Sequence, residues 1–173
     1  ETPEELSLKR KNLLSQGKPP IYDRSSLKLS SSEISSLRSK GKKAHWRFKL
    51  NDEMIEWDDL IKGKISIDSK NLSDPILIRE DGSLLYHLPS VIDDIEENIT
   101  DIIRGEDHIT NTAFHVLLFK TLGEKIPLFG HHPLLIDDTG KSLGKRLGSL
   151  SINQIKEQGF ENITIINYLL SIG

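Results

Sequence analysis

The chain has no cysteine, a single methionine (Met54), and no apolar run near the roughly 20 residues that a membrane-spanning helix requires. Without cysteine there are no disulfides, thiolate zinc sites or cysteine nucleophile, and a stapled secreted domain is excluded as a class. No signal-like start or internal repeat is present, and the expectation is a soluble, cytosolic chain. The first residue is Glu1 rather than methionine, which suggests a piece of a longer protein. At 173 residues, 36% hydrophobic and 28% charged, the chain can bury one core or two small ones. Net charge is −3 but unevenly spread: residues 1–50 carry 12 Lys/Arg against 5 Asp/Glu, and residues 51–173 carry 11 against 21. That polarity points to an anion such as nucleic acid facing the N-terminal part, with a solvated lysine-rich loop as the alternative.

Local patterns give an element order. Thr2-Pro3-Glu4-Glu5 combines an N-cap, a first-turn proline and a capping-box glutamate, and Leu6, Leu13 and Leu14 form an apolar face up to Gly17. Lys18-Pro19-Pro20 is an extended linker, the serines at 30–32 are a capped turn, and Glu33 to Arg38 is a short helix ending near Gly41. Trp46, Phe48 and Leu50 alternate as a strand; Met54 to Trp57 and Lys64 to Ile67 are two more. Pro75 to Arg79 and Leu84 to Leu88 flank Asp81-Gly82 and read as a hairpin, with Tyr86 inside its second strand. From Ile99 the order is strand (99–103), helix (Thr110 to Leu122, with Ala113, Phe114, Leu117, Leu118 and Leu122 on one face and Gly123 as cap) and strand (Pro133 to Ile136). This βαβ order implies a parallel pair with a right-handed crossover. Ser151 and Gln154 mark another capping box, and helices follow to Gly159 and from Ile163 to Leu170.

Two loops attract attention. Arg104-Gly105-Glu106-Asp107-His108 joins strand to helix, at the sheet edge where open α/β folds bind ligands. Arg104 suits a carboxylate or phosphate through its planar fork, or else pairs with Asp93 or Asp94. Asp107 or Thr110 capping the next helix explains part of the loop without chemistry. The loop from Gly140 to Arg146 offers flexible backbone and three cations suited to phosphate, although it lacks the earlier glycine of a Walker A loop. The two loops read as one site. Neither Glu106, Asp107 and His108 nor His131, His132, Asp137 and Asp138 form a compact metal pattern, and the two adjacent histidines read as strand-end polar residues.

Taken together, Leu85-Tyr86-His87-Leu88, Val91-Ile92-Asp93-Asp94, the run Ile99 to Ile109, His132-Pro133-Leu134-Leu135 and Lys145-Arg146-Leu147-Gly148 strongly resemble bacterial glutamyl-tRNA synthetases. The segments at Thr2 to Leu6 and Gly17 to Asp23 extend that resemblance over the whole chain. It implies an α/β fold: the C-terminal half of a class I synthetase Rossmann-type domain (86–135), preceded by an α+β insertion that grips the tRNA acceptor stem (1–85) and followed by a signature loop and the start of a helical stem-contact region (136–173). It also implies a monomeric, cytoplasmic ligase that uses ATP with Mg2+ to form glutamyl-adenylate and passes glutamate to tRNA(Glu), or also to tRNA(Gln), with no zinc site or membrane.

By the same resemblance, Tyr86 and Arg104 hold glutamate. Lys145, matching the second lysine of the signature often written KMSKS, is the catalytic cation. Lys145, Arg146, Leu134, Leu135 and His108 surround ATP, and Lys40, Lys42, Lys43 and Arg47 contact tRNA. Two departures qualify this picture. The loop reads Ser142-Leu143-Gly144-Lys145-Arg146 where the family has Lys-Leu-Ser-Lys-Arg. The family's His-x-Gly-His half of the ATP site and its anticodon-binding domain have no counterpart in these residues, so the chain by itself is expected not to form adenylate. A stand-alone acceptor-stem-binding module and a synthetase-like enzyme that glutamylates a tRNA base are the alternatives.

Overall fold

A computed structural model of the chain describes residues 3–136, 140 and 151–172. Helix α1 (Pro3–Ser15) leads into the extended Lys18–Pro20 linker and α2 (Ser31–Ser39). Strands β1 (Trp46–Arg47), β2 (Met54–Asp59), β3 (Gly63–Asp68) and β4 (Ile76–Ile78) precede α3 (His87–Glu96). Then come β5 (Asp101–Gly105), α4 (Ile109–Leu122), β6 (Leu128–His132), α5 (Ile152–Glu157) and α6 (Asn162–Ile172).

The capping box expected at Ser151 and Gln154 holds, the capped turn expected at Ser30 is a full box with Glu33, and the box expected from Thr2 lies outside the described residues. Ser30 accepts from the Glu33 amide while the Glu33 carboxylate accepts from the Ser30 amide, and Ser151 and Gln154 repeat the exchange at α5. Each box satisfies two amides that a helix start otherwise leaves orphaned.

The central sheet has the order β3-β2-β6-β5. β2 and β3 are an antiparallel hairpin, and β6 runs parallel to both β2 and β5. One core spans the sheet and the helices: Leu50, Ile55, Trp57, Val91, Val116, Phe119 and Phe129 are all buried. Residues on both sides of position 85 therefore share one sheet and one core. Burying each large apolar side chain contributes about 1.5–3 kcal/mol. β1 and β4 form a separate antiparallel pair.

Several expectations are corrected by packing. Helix α4 does not bury a single face: Thr112 to Phe119 are buried without interruption, and Leu122 is exposed. A helix enclosed by sheet on one side and α3 on the other needs apolar residues all round. The strand expected at Pro133 to Ile136 lies earlier, at β6; Phe129 and His131 point into the core, and Pro133, with no N–H, follows the last paired residue. The alternating strand from Trp46 shortens to β1, since Leu50 gives its amide to the Asp74 carboxylate instead of a ladder partner.

The hairpin beyond Asp81-Gly82 is reduced to a bridge between Ile78 and Leu84. Helix α3 takes over at His87, so Tyr86 occupies a helix N-cap position and not a strand. Leu88, Val91, Ile92 and Ile95 have helical spacing, and Pro89 sits in the first turn, where no amide is needed. Asn98, at φ 54°, ends the helix with Ile99 N–H donating 2.9 Å to the Asp94 carbonyl.

Candidate active site

The pairing of β5 with β6 sets Arg104 opposite His131. Ile102 and Arg104 alternate towards the interior of β5, where α4 covers the sheet with Thr112. On β2 the same alternation turns Ile55, Trp57 and Asp59 inward. Three long-range placements thus bring Asp59, His131, Thr112 and Arg104 together.

Their hydrogen bonds form a continuous chain. Arg104 Nη2 donates to Thr112 Oγ1 at 2.6 Å, and Thr112 Oγ1 lies 2.8 Å from His131 Nε2. His131 Nδ1 is bonded to an Asp59 carboxylate oxygen, while the His131 amide donates 3.0 Å to the other. The Ile61 and Lys62 amides also donate to Asp59, each at 3.1 Å. Burial by itself would raise the Asp59 carboxyl; the bonds from His131, Lys62 and Ile61 outweigh it and hold the group below the usual carboxylate range.

At the outer end, Arg104 Nη1 donates 3.0 Å to the Tyr86 hydroxyl, which lies 3.3 Å from His108 Nδ1. Asn111 Nδ2 is 3.1 Å from the same nitrogen. Arg104 Nε is buried and has no partner, and among the described residues no carboxylate lies within 4.0 Å of the guanidinium. The expected alternative pairing with Asp93 or Asp94 is therefore absent. Burial lowers the pKa of Arg104, and Asp94 opposes that only through space. Burial likewise raises Asp94. His115, fully enclosed with both ring nitrogens unpartnered, is pushed down to about 3 by burial and by the charge of Arg104. His87 shifts in the same direction for the same reasons. Arg104 is thus a half-buried cation beside His87 and His115, whose protonation burial disfavours, an arrangement that favours an incoming anion.

A family model described as tRNA synthetases class I (E and Q), catalytic domain, matches residues 1–173. The chain belongs to that family. Glutamate–tRNA ligase 2 of Hyphomonas neptunium is 51% identical over 173 residues, covering 100% of this chain and 39% of the relative. Glutamate–tRNA ligase 2 of Methylorubrum populi is 53% identical over 161 residues, covering 93% and 36%. The crystal structure of a glutamate tRNA ligase from Elizabethkingia meningosepticum in complex with its amino acid matches with a TM-score of 0.73 at 33% identity, covering 92% of this chain and 32% of that one. The glutamate-tRNA synthetase of Elizabethkingia anophelis gives 0.74, also at 33% identity. The chain spans less than two fifths of the length of these curated relatives.

Within this class I synthetase chain, Tyr86, Arg104 and His108 are brought into mutual contact. The loop that holds them lacks a side-chain helix cap: the residue before α4 is His108, which caps nothing, so the capping role expected of Asp107 or Thr110 is not observed. A 3-10 turn, Glu106–His108, connects β5 to α4, and Glu106 pairs with Lys62 from the turn after β2. Gly105 allows close packing here, since a Cβ would lie 2.9 Å from Leu134. Leu134 is thereby placed beside the loop, beyond β6 rather than within a strand, while Leu135 is exposed. Lys145 and Arg146 lie outside the described residues, as does all of the second loop except Gly140.

The N-terminal cations separate into two groups. Lys40, Lys42 and Lys43 are exposed at and just after the end of α2. Arg47 is engaged internally: its Nη1 donates 2.7 Å to the Asp74 carbonyl and its guanidinium lies 4.1 Å over the Tyr22 ring. Arg47 also lines a cleft of about 640 Å³ together with Pro20, Asp74, Tyr86, His87 and Phe114. Among the described residues no group of three or more His, Asp or Glu is placed to hold a metal, and no helix is long and apolar enough to cross a membrane.

Nothing in the sequence alone assigns a role to Asp59, Thr112 or His115, and His131 reads there as a strand-end residue. A signal for Asp59 existed. Ile55, Trp57 and Asp59 share one face by period two, which puts a carboxylate on the buried side of a strand. Thr112 and His115 offered no comparable signal, since nothing local shows that α4 is enclosed on every side.

Proposed function

We propose that this chain supplies the second half of the catalytic domain of a glutamate–tRNA ligase, which condenses glutamate with ATP to glutamyl-adenylate and pyrophosphate and then transfers glutamate to the 3′ end of tRNA. The observation that carries the reading is the Arg104 guanidinium: half-buried, with Nε enclosed and unpartnered, and among the described residues bonded only to the Tyr86 and Thr112 hydroxyls, with no carboxylate of its own. A substrate carboxylate completes it through charge-assisted bonds. The side-chain carboxylate of glutamate is the one that fits, because the α-carboxylate must keep its oxygens free to attack the α-phosphate of ATP. Tyr86 fixes the outer edge of the clamp, and His108 borders the space where the amino acid meets nucleotide and tRNA end.

Leu134 and Leu135 contact the adenine side, and Lys145 with Arg146 offsets the charge that develops on the departing pyrophosphate. Mg2+ enters with ATP. Exposed Lys40, Lys42 and Lys43 bind acceptor-stem phosphates, with Arg47 behind them as the anchor of that surface. The ligase is cytoplasmic and monomeric, with tRNA(Glu) as its substrate and tRNA(Gln) as a second one in a non-discriminating enzyme.

Pyrophosphate exchange tests the reading. In a ligase of full family length carrying this chain, exchange is expected to depend on glutamate and to fail with aspartate, one methylene shorter, while this chain alone supports none. Exchange by this chain alone overturns the division of the active site. Salt-sensitive binding of acceptor-stem RNA by the full-length protein, with no exchange, identifies a binding module instead; glutamate found on a tRNA base and not the terminal ribose identifies a base-modifying enzyme.

A further inference from the structure

We propose that Asp59, His131 and Thr112 are positioning residues for Arg104, a buried relay that holds the guanidinium at a fixed angle while leaving its remaining N–H groups to the substrate carboxylate. This rests on the glutamate-binding reading of Arg104.

The proton arrangement is directional. Arg104 can only donate, so Thr112 Oγ1 accepts from it at 2.6 Å. The Thr112 hydroxyl hydrogen then goes to His131 Nε2 at 2.8 Å, and the His131 Nδ1–H goes to Asp59. Asp59 is held as an acceptor by the amides of Ile61, Lys62 and His131. Each donor meets one acceptor, with Asp59 ionised and His131 neutral. The other arrangement turns the Thr112 hydroxyl to the His108 carbonyl at 3.2 Å, and it needs a charged His131 behind Arg104. It places a second cation beside Arg104 and uses a longer bond.

Distance from the carboxylate is the useful property. An aspartate bonded directly to Arg104 would fill the fork and repel the incoming carboxylate. With two neutral groups between them, Asp59 still favours the cation through polarised hydrogen bonds but leaves the fork unoccupied. Asp59, His131 and Thr112 are all buried, Thr112 and His131 completely, so water does not compete for these bonds. Two of the five Arg104 N–H groups are used, one by Thr112 and one by Tyr86. The relay fixes the plane in which the others lie.

The test uses a ligase of full family length carrying this chain and compares KM for glutamate with KM for ATP. Thr112→Val keeps the shape and removes the hydroxyl; glutamate KM is expected to rise about tenfold or more with ATP KM within about twofold. Thr112→Ser is expected to restore glutamate KM to within about threefold of the parent. Asp59→Asn is expected to act in the same direction, and the double variant to be no worse than Thr112→Val alone, as members of one relay should behave. Unchanged glutamate KM in Thr112→Val, equal impairment in the valine and serine variants, or a parallel rise in both KM values overturns the proposal. Should the valine variant not fold, Asp59→Asn carries the same comparison of the two KM values. Arg104→Lys separates the two levels: if glutamate KM is unchanged there, the functional reading itself fails, whereas a large rise there with a normal Thr112→Val defeats the relay alone.

Discussion

Asp59 and Asp74 are both buried, and each has an arginine in its neighbourhood, but the two arginines are held differently. Asp74 takes Arg24 directly: Nε and Nη2 each donate at 2.8 Å, and the Leu50 amide adds a bond of 2.9 Å. Burial would raise Asp74, and the bonds from Arg24 and Leu50 reverse that; Arg24 is itself raised by its partner. Each ion answers the other, and the cluster closes the linker after α1 onto the strand region. Asp59 reaches Arg104 only through His131 and Thr112, and Arg104 is lowered by burial. A direct pair makes a clamp; on the proposed reading, His131 and Thr112 between Asp59 and Arg104 leave the guanidinium open to an outside anion.

The largest effect should come from removing the receptor's charge. Arg104→Met is expected to lower glutamate affinity about a hundredfold or more, the cost of leaving a desolvated carboxylate unpaired. The same variant should fold as well as the parent or better, because it deletes a half-buried cation that has no carboxylate partner among the described residues. Calorimetric titration of the full-length ligase and thermal melts read the two quantities. A substantially lowered melting midpoint would put Arg104 in the same structural class as Arg24.

Asp74→Asn should behave in the opposite sense, costing about 2 kcal/mol of stability with glutamate KM unaltered. The figure is set at the low end because the Arg24 side chain is 35% exposed and partly screened by water. Urea denaturation measures it, and a shifted glutamate KM would mean that the two clusters are coupled.

The narrowest effect, confined to acid pH, asks whether Arg104 is kept as the lone cation of its pocket. His115 stays neutral in the folded chain down to about 3, against about 6.5 unfolded. Below 6.5 the unfolded chain binds the proton first, so the contribution is complete above that pH and is lost as the pH falls towards 3. It amounts to about 1.4 kcal/mol per pH unit in that window. His115→Leu should reduce the acid slope of stability by about one proton between pH 6 and 4. An unchanged slope in denaturation curves across that range would show that His115 already carries a proton in the fold.

Much of this was legible before the structure. The capping box at α5, the glycine stop after α4, β2 and β3 as strands, and the strand–helix–parallel strand order around α4, with its last strand a few residues earlier than expected, all follow from signals a few residues long. Arg104 and Tyr86 were singled out as substrate residues by resemblance, and the structure joins them by a hydrogen bond of 3.0 Å. Tyr86 was nonetheless expected in a strand, and α3 went unread, because an alternating Leu84 to Leu88 and a helical Leu88 to Ile95 overlap in sequence and only packing against α4 decides between them.

The sequence by itself determined the ends of α2, α4 and α5, which residues pair with their near neighbours there, and the family to which the chain belongs. Tertiary structure decided which charges meet. Asp59 and His131 are 72 positions apart, and their bond depends on β6 lying between β2 and β5 in one register. Shifting either pairing by one residue would turn Asp59 or His131 to the other face of the sheet and break the chain to Arg104.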